Sequence, residues 1–582
     1  MKNLRSLIPY FLRYKKLLIW GIIFIILSNT ANTYIPVIIK NAVNALETNL
    51  KMEVILGYAG MIVLVSIVGG VFRYYIRQTI IVMSREIEFD VRQDFWTHLL
   101  RLPLRYFKDT STGTIMAHAT NDISAVRMFI GPAVMYSIDT ILRLGLSVTI
   151  MIQISPTVTL AALAPLPFLS ILVYYVGKKV HTRFTLIQEK FAELTTKAQE
   201  NFSGIRVIKS YVKEESEIEE FSVLSKEYLE RNMKLVKIQA LFQPLLFLLT
   251  GFSVIVVVYL GGMKVIQGEI SLGDMTALII YLNILIWPMI AFGWVINIVQ
   301  QAEASMNRIN KILNEPIDIA DSDSTDYSIK ELTGSVEFKN VSFSYKPTSP
   351  NVLDSISFSI PKGSTVAIMG ATGSGKSTLI SLISRLYDAT EGTVLLDGKP
   401  ITTIPLATVR TTIGLVQQEA LLFSNTIRNN LTYGLKEHNE ELMLKCSAIA
   451  QFDKDVQEFP QGYDTIIGER GITMSGGQKQ RASLARALTI DPKILILDDS
   501  FSAVDTHTEE EILKNLKDFM RERTSIIISH RVSTVKDADT IIVLENGRIA
   551  EKGTHDELIA IKGLYNDIYT KQLLEKELEE AE

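Results

Sequence analysis

The first three hundred residues carry six long apolar stretches, roughly 17–39, 54–76, 132–154, 157–177, 241–262 and 274–298. Each is near the about 20 residues that a membrane-spanning helix needs. The intervals after the first, third and fifth stretches are short, whereas those after the second and fourth are long, amphipathic and nearly free of Gly and Pro except at mid-course, at Pro103, Gly113 and Gly204. If each long interval is a helix going out, a short turn and a helix returning, the excursion beyond the membrane is roughly 40 Å at 1.5 Å per residue. The spans therefore continue as rods with a short element at each tip, which an anchor alone does not need.

From about residue 299 the pattern turns polar, with Glu315-Pro316 and the acidic run Asp321 to Asp326, and a linker is expected over 316–333. Residues 334–570 read as a soluble α/β domain. Val336 to Tyr345 alternates as a strand with one buried face. Ser364 to Ile368 reads as a buried strand and Leu379 to Leu386 as a helix, and Met369-Gly370-Ala371-Thr372-Gly373-Ser374-Gly375-Lys376-Ser377-Thr378 lies between them. Strand, glycine-rich loop and helix in that order form a phosphate-binding loop. Its backbone N–H groups turn around a triphosphate, Lys376 reaches the terminal phosphates, and the Ser377 hydroxyl ligates Mg²⁺. Lys493 to Asp499 is a hydrophobic strand ending in two carboxylates, the first placed to hold Mg²⁺ and the second to act on water. Glu469 to Gln478 opens a second helix on small residues, a second anion-binding end that one site does not need but two cassettes facing head to tail would use. Residues 571–582 form an acidic tail.

Composition narrows the partners. The 47% apolar content fits a membrane chain, and a net charge of −4 leaves no electrostatic footprint for nucleic acid. The single cysteine, Cys446, excludes an internal disulfide and a cysteine-ligated zinc site, and is expected to be a packing residue. Basic residues crowd the N-terminus (Lys2, Arg5, Arg13, Lys15, Lys16) and both long intervals (Arg73 to Lys108; Lys178 to Lys213). By the positive-inside rule these segments and both termini are cytoplasmic, and the first apolar run is a retained span rather than a cleaved signal. Asp139 and Arg143, one helical turn apart in the third span, admit two readings: an aqueous substrate path, or a self-satisfied ion pair between helices. Pro156, Pro165, Pro167 and Pro288 are placed to interrupt helices, and Phe252, Tyr259, Tyr281 and Trp287 are candidate cavity walls.

The order of phosphate loop, Gln418, Met474-Ser475-Gly476-Gly477-Gln478, Asp498, Ser502-Ala503-Val504-Asp505 and His530 resembles the nucleotide-binding domain of ATP-binding cassette transporters. The preceding Thr465 to Gly471 resembles the extra loop of exporters, and the whole chain resembles a type IV exporter half-transporter: a six-helix membrane domain over 1–315 followed by the cassette. The resemblance implies that Tyr345 stacks on adenine; that Gly370, Gly373, Ser374, Gly375, Lys376, Ser377 and Thr378 hold the phosphates; and that Ser377, Gln418 and Asp498 serve Mg²⁺. It implies that Ser475, Gly476, Gly477 and Gln478 act on ATP bound by a partner, that Asp505 lies in the dimer-interface loop, and that His530 meets the γ-phosphate. The tips around Phe107, Gly113, Gly204 and Arg206 resemble coupling helices. Two positions depart from the family: Met474 stands where Leu is usual, and Asp499 stands where Glu is usual, where shortening by one methylene withdraws the carboxylate by about 1.5 Å. In that respect the chain resembles the subunit with the weakened acid in bacterial heterodimeric multidrug-resistance-like exporters, which move hydrophobic compounds or lipids. A homodimeric lipid flippase using Asp499, a regulatory membrane cassette and, against the six spans, a soluble cassette ATPase are the alternatives.

Overall fold

The computed structural model describes residues 2–48, 51–468 and 474–581, and side chains within them except at 48, 166, 167, 169, 170, 172–174, 181, 242, 243, 246 and 575–581. The chain divides into two compact units, one comprising Met1–Leu100 with Thr112–Glu315 and the other Arg101–Ser111 with Pro316–Glu582.

The described residues of the first unit form helices joined by short turns, with no strand among them. Among the described residues, five helices are long and apolar enough to cross a membrane: Lys15–Glu47, Met52–Leu99, Thr112–Ile154, Phe247–Ile266 and Leu272–Leu313. The expected fourth span, 157–177, falls on the helices Pro156–Leu163 and Leu166–Ser203, where several side chains lie outside the described set, and it is not among the five. The helix Leu272–Leu313 measures about 63 Å, twice the roughly 30 Å of a hydrocarbon core. The second long interval returns as expected: Leu166–Ser203 turns at Gly204 into the short helix Ile205–Ser210 and goes back as Glu214–Val256. Lys190 pairs with Glu193 and Glu227, and Lys197 with Glu217 and Glu220, so two lysines tie the outgoing rod to the returning one.

Three expectations for this unit resolve on contact. Asp139 and Arg143 close on each other at 3.3 Å, and Asn29 of the first helix joins both, donating to Asp139 at 2.9 Å and accepting from Arg143 at 3.3 Å. The pair is therefore satisfied between helices. Tyr281 is not a cavity wall: it is fully buried and donates to the Thr33 carbonyl at 2.7 Å. Pro288 does not interrupt its helix, whereas Pro156 and Pro165 do sit at helix starts, where a missing N–H costs nothing.

The second unit is built on two sheets. Strands β1 (Val336–Phe343), β2 (Leu353–Ile360), β4 (Glu391–Leu396) and β5 (Lys399–Pro400) form an antiparallel sheet in the order β2-β1-β4-β5. Strands β3 (Thr365–Gly370), β6 (Ile413–Val416), β7 (Ile494–Asp498), β8 (Thr524–Ile528), β9 (Thr540–Glu545) and β10 (Arg548–Gly553) form the other, in the order β10-β9-β3-β8-β7-β6. All its neighbours run parallel except β10 with β9. The inner strands read as largely apolar runs, as expected where both faces of a parallel sheet are covered; β8 is buried at every residue. The expected linker is not a free tether. Ile329 and Leu332 enter the core, Asp326 N–H donates to Thr403, and Asp321 accepts from Leu406 N–H. Cys446 packs in the core, as its isolation implied, and burial pushes its thiol up to about 11.

Candidate nucleotide site

Parallel strands deliver their carboxyl ends to one edge of the sheet, where ligands bind in α/β folds. Ile368 of β3 and Asp498 of β7 are both level with Ile528 of β8. The phosphate loop, Asp499 and His530 therefore leave adjacent strands at one edge. On the outer side, Val416 pairs with Leu497, so Gln418 and Asp499 each lie two residues further on. Their side chains meet, with Gln418 Nε2 at 3.5 Å from Asp499 Oδ2.

The loop after β3 requires its glycines for two reasons. Gly370 and Gly375 have φ of +149° and +103°, and a Cβ there would stand 2.3 Å from the Leu544 carbonyl and 2.7 Å from Leu353 Cδ2, respectively. Gly373, at φ +84°, has nothing within 4 Å of the corresponding position, so the concavity of the loop stays open. The helix Lys376–Ile383 starts there with Gly375 as its cap. Lys376 is buried and its Nζ donates to the carbonyls of Gly370 at 2.8 Å and Ala371 at 2.9 Å. Burial lowers its pKa, and the charges of Asp498 and Asp499 oppose that shift. Ser374 Oγ is buried without a hydrogen-bond partner. An open concavity, an orphaned hydroxyl and a lysine resting on its own loop's carbonyls fit a triphosphate.

Asp498 is pushed above the usual carboxylate range, chiefly by burial, while a hydrogen bond from Ser377 pulls the other way. The hydroxyl and the carboxylate thus meet in the pairing that an oxygen-loving Mg²⁺ requires. Asp499 adopts φ +45°, a region that Asp tolerates better than most side chains, and donates its N–H to Ile528 at 2.9 Å. A cavity of about 140 Å³ opens beside it, lined among others by Ser502, Glu509, Ser529, His530 and Arg531.

Tyr345 follows β1 and is 38% exposed. Its hydroxyl shares a hydrogen bond with Thr378 Oγ1 at 2.8 Å, and its ring stands edge-on to Phe343 and Tyr387. Lys108, on the short helix Leu104–Asp109, places Nζ 4.6 Å from the Tyr345 ring centroid and 5.4 Å from that of Tyr387. Asp109 pairs with Lys346 at 3.2 Å and Arg105 with Asp318 at 2.5 Å. Phe107 lies on this same helix, and Gly113 in the next, Thr112–Ala117. At the other tip Gly204 caps the helix holding Arg206, and Phe202, Tyr211 and Val212 around it are exposed.

Ser475 caps the helix Gly476–Thr489, accepting the Gln478 N–H at 3.2 Å, while the Gln478 side chain accepts the Ser475 N–H at 3.0 Å. Gly477 permits the close approach of the next loop, since a Cβ there would stand 2.9 Å from the Ala503 carbonyl. Ser475 and Gly476 are exposed, and among the described residues no hydrogen bond joins this segment to the phosphate loop. Asp505 caps the helix Thr506–Met520 by accepting from Thr508 N–H at 2.9 Å. Of the expected exporter loop, Glu469, Arg470 and Gly471 lie outside the described residues.

Comparison with known proteins gives the family. Residues 18–289 match the family described as ABC transporter transmembrane region, and residues 353–502 match the family described as ABC transporter. A probable multidrug resistance ABC transporter ATP-binding/permease protein of Bacillus subtilis, YheI, is 36% identical over 97% of this chain and 96% of its own length. The chain belongs to the ABC transporter family. The multidrug resistance-like ATP-binding protein MdlA of Escherichia coli is 36% identical over 90% of this chain and 89% of its own. The ATP-dependent lipid A-core flippase of Syntrophus aciditrophicus is 30% identical over 96% and 93%. The structure of a bacterial Atm1-family ABC exporter with ATP bound superposes with a TM-score of 0.80 at 26% identity, covering 96% of this chain and 99% of that one. This ABC transporter is thus a membrane-embedded exporter, a helical membrane domain followed by an ATP-binding cassette, and an ATPase coupled to transport.

Several contacts at this ABC transporter's site carry no sequence signal. Thr378 was legible as a loop residue but not as the partner of Tyr345, and Lys108 lies far from Tyr345 in the chain. Asp455, which accepts from both Gln478 and Arg481 behind the signature segment, has no pattern around it that singles it out.

Proposed function

We propose that this ABC transporter is one half of a heterodimeric exporter that moves hydrophobic or amphipathic compounds, drugs or lipids, across a bacterial inner membrane. Six spans cross the bilayer, and both termini and the cassette lie in the cytoplasm. The observation that carries the reading is Asp499, the shortened acid, held 3.5 Å from Gln418 in a chain whose segment Ser475 to Gln478 keeps its capped helix start.

In this reading Tyr345 stacks on the adenine of ATP, and Gly370, Gly373, Ser374, Gly375, Lys376, Ser377 and Thr378 hold the phosphates, Lys376 exchanging its loop carbonyls for the terminal phosphates. Ser377, Asp498 and Gln418 hold Mg²⁺, which supplies charge neutralisation to the phosphates when bound. Asp499 reaches a hydrolytic water poorly, Gln418 orients that water, and His530 contacts the γ-phosphate. Ser475, Gly476, Gly477 and Gln478 close over ATP on the partner, with Asp505 at the dimer interface. Closure is passed to the membrane helices at the tips marked by Phe107, Gly113, Gly204 and Arg206, turning the cavity outward. The second reading, a homodimeric lipid flippase, is favoured by the likeness to the lipid A-core flippase.

A cross-link separates the two. Cys446 is buried and therefore unreactive, so Thr372→Cys with Ser475→Cys reports contact between facing cassettes without a competing thiol. The expected result is no ATP-dependent cross-link between two copies of this chain, and one that forms only with a second half-transporter. Efficient ATP-dependent self-cross-linking would overturn the heterodimer in favour of the homodimer.

A further inference from the structure

The loop that carries His530 is held from behind by the last helix of the chain. After β8 the backbone leaves the sheet, so its polar groups need partners elsewhere. Gln572, on the helix Leu564–Ala581, supplies two of them with one side chain. Its Nε2 donates to the His530 carbonyl at 2.6 Å, and its Oε1 accepts the Val532 N–H at 2.8 Å. The orientation of the amide is not ambiguous, because a carbonyl can only accept and a peptide N–H can only donate. Arg531, between the two grips, is fixed separately. Its N–H donates to Ser529 Oγ at 3.0 Å and its guanidinium pairs with Glu509, a buried carboxylate that also accepts from Thr534 Oγ1 at 2.7 Å. The helix bearing Gln572 is itself pinned at its start, where Glu551 accepts the N–H groups of Leu564 at 2.5 Å and Tyr565 at 3.1 Å, and by fully buried Tyr565.

We propose that Gln572 is a positioning residue for His530: by bonding the peptides on both sides of Arg531 it sets the direction in which the imidazole enters the site. The inference rests on the reading that His530 meets the γ-phosphate. Two neutral hydrogen bonds of ordinary net strength bound the effect at about 30-fold, and because Arg531 keeps its own supports the partial loss of positioning is about three- to tenfold of whatever His530 contributes.

The test uses the full-length chain in lipid nanodiscs, with displacement of a fluorescent adenine nucleotide by AMP-PNP and, separately, by ADP. Gln572→Ala is expected to weaken AMP-PNP about three- to tenfold relative to ADP and to leave ADP unchanged. Gln572→Glu, which keeps the length and the acceptor but sets a carboxylate against the His530 carbonyl, is expected to lose at least as much and not to rescue. In a His530→Ala background, Gln572→Ala should add nothing further. Equal weakening of both nucleotides would reduce Gln572 to a support of the fold and overturn the inference. So would an unchanged ratio in Gln572→Ala when His530→Ala alters it. An unchanged ratio in His530→Ala itself would instead sink the assignment of His530 on which this one stands.

Discussion

Replacing Asp499 by Glu adds one methylene and advances the carboxylate by about 1.5 Å. Asp499 Oδ2 now stands 3.5 Å from Gln418 Nε2, at the outer limit of a hydrogen bond, so the acid falls short of the neighbour that would help it orient water. A misplacement of about 1 Å costs a reacting group on the order of 10²-fold, and general-base assistance contributes about 10² to 10⁴-fold in all. Asp499→Glu should therefore raise ATP turnover at this chain's own site about 30- to 100-fold. The KM for ATP should stay within about threefold, because the proposed phosphate contacts lie on other residues. The backbone sets a counter-cost: φ is +45° at this position, and a longer side chain in that region loses about 1 kcal/mol, to be seen as a small drop in Tm. Asp499→Asn is the companion variant and should lower the residual rate by less than about tenfold, since an acid out of reach has little to lose. Single-turnover hydrolysis by the full-length protein, assembled with its partner half-transporter in nanodiscs, measures the rates; their dependence on ATP concentration gives the affinity, and thermal unfolding gives the Tm. If Asp499→Asn abolishes a robust turnover and Asp499→Glu adds nothing, the short acid is already competent and the argument for a degenerate site fails.

Burial raises the pKa of Asp498 in the folded cassette, so its contribution to stability is fully present below the unfolded value of about 3.9 and is lost as pH rises through the folded value. Asp498→Asn should accordingly raise the Tm of the protein in EDTA without nucleotide at pH 7, a gain that shrinks on acidification towards pH 4, while eliminating Mg²⁺-dependent hydrolysis; a lower Tm at pH 7 would contradict it. In the membrane unit, Asp139→Leu or Arg143→Leu alone leaves an unpaired charge against Asn29 and should destabilise by about 2–3 kcal/mol. The double replacement should be milder than either single change, as read from thermal unfolding in detergent.

What was legible beforehand was whatever depends on local pattern. Strand, glycine loop and helix around Lys376, the carboxylates at the end of β7 and the long rods with short tips all follow from periodicity and loop chemistry, and each appears where its pattern lies. Pairings between distant segments were not legible. Nothing near Gln572 marks it as the partner of His530, and Lys108 resembles any other basic residue of a positively charged interval until it is found over Tyr345. Tyr281 misled for the same reason: an aromatic residue in a span looks alike whether it faces a cavity or bonds a carbonyl on another helix. Asp139 and Arg143 were open between two readings because their third member, Asn29, belongs to a different helix.

The allotment of Arg101–Ser111 to the cassette's unit bears on how that unit can be handled by itself. A fragment beginning at Pro316 would lack the lysine that covers Tyr345 and Tyr387 and the arginine that neutralises Asp318. Nucleotide affinities measured on such a truncated cassette would describe a pair of tyrosine rings stripped of their lysine, and grafting the missing peptide back would be the way to learn how much that lysine matters.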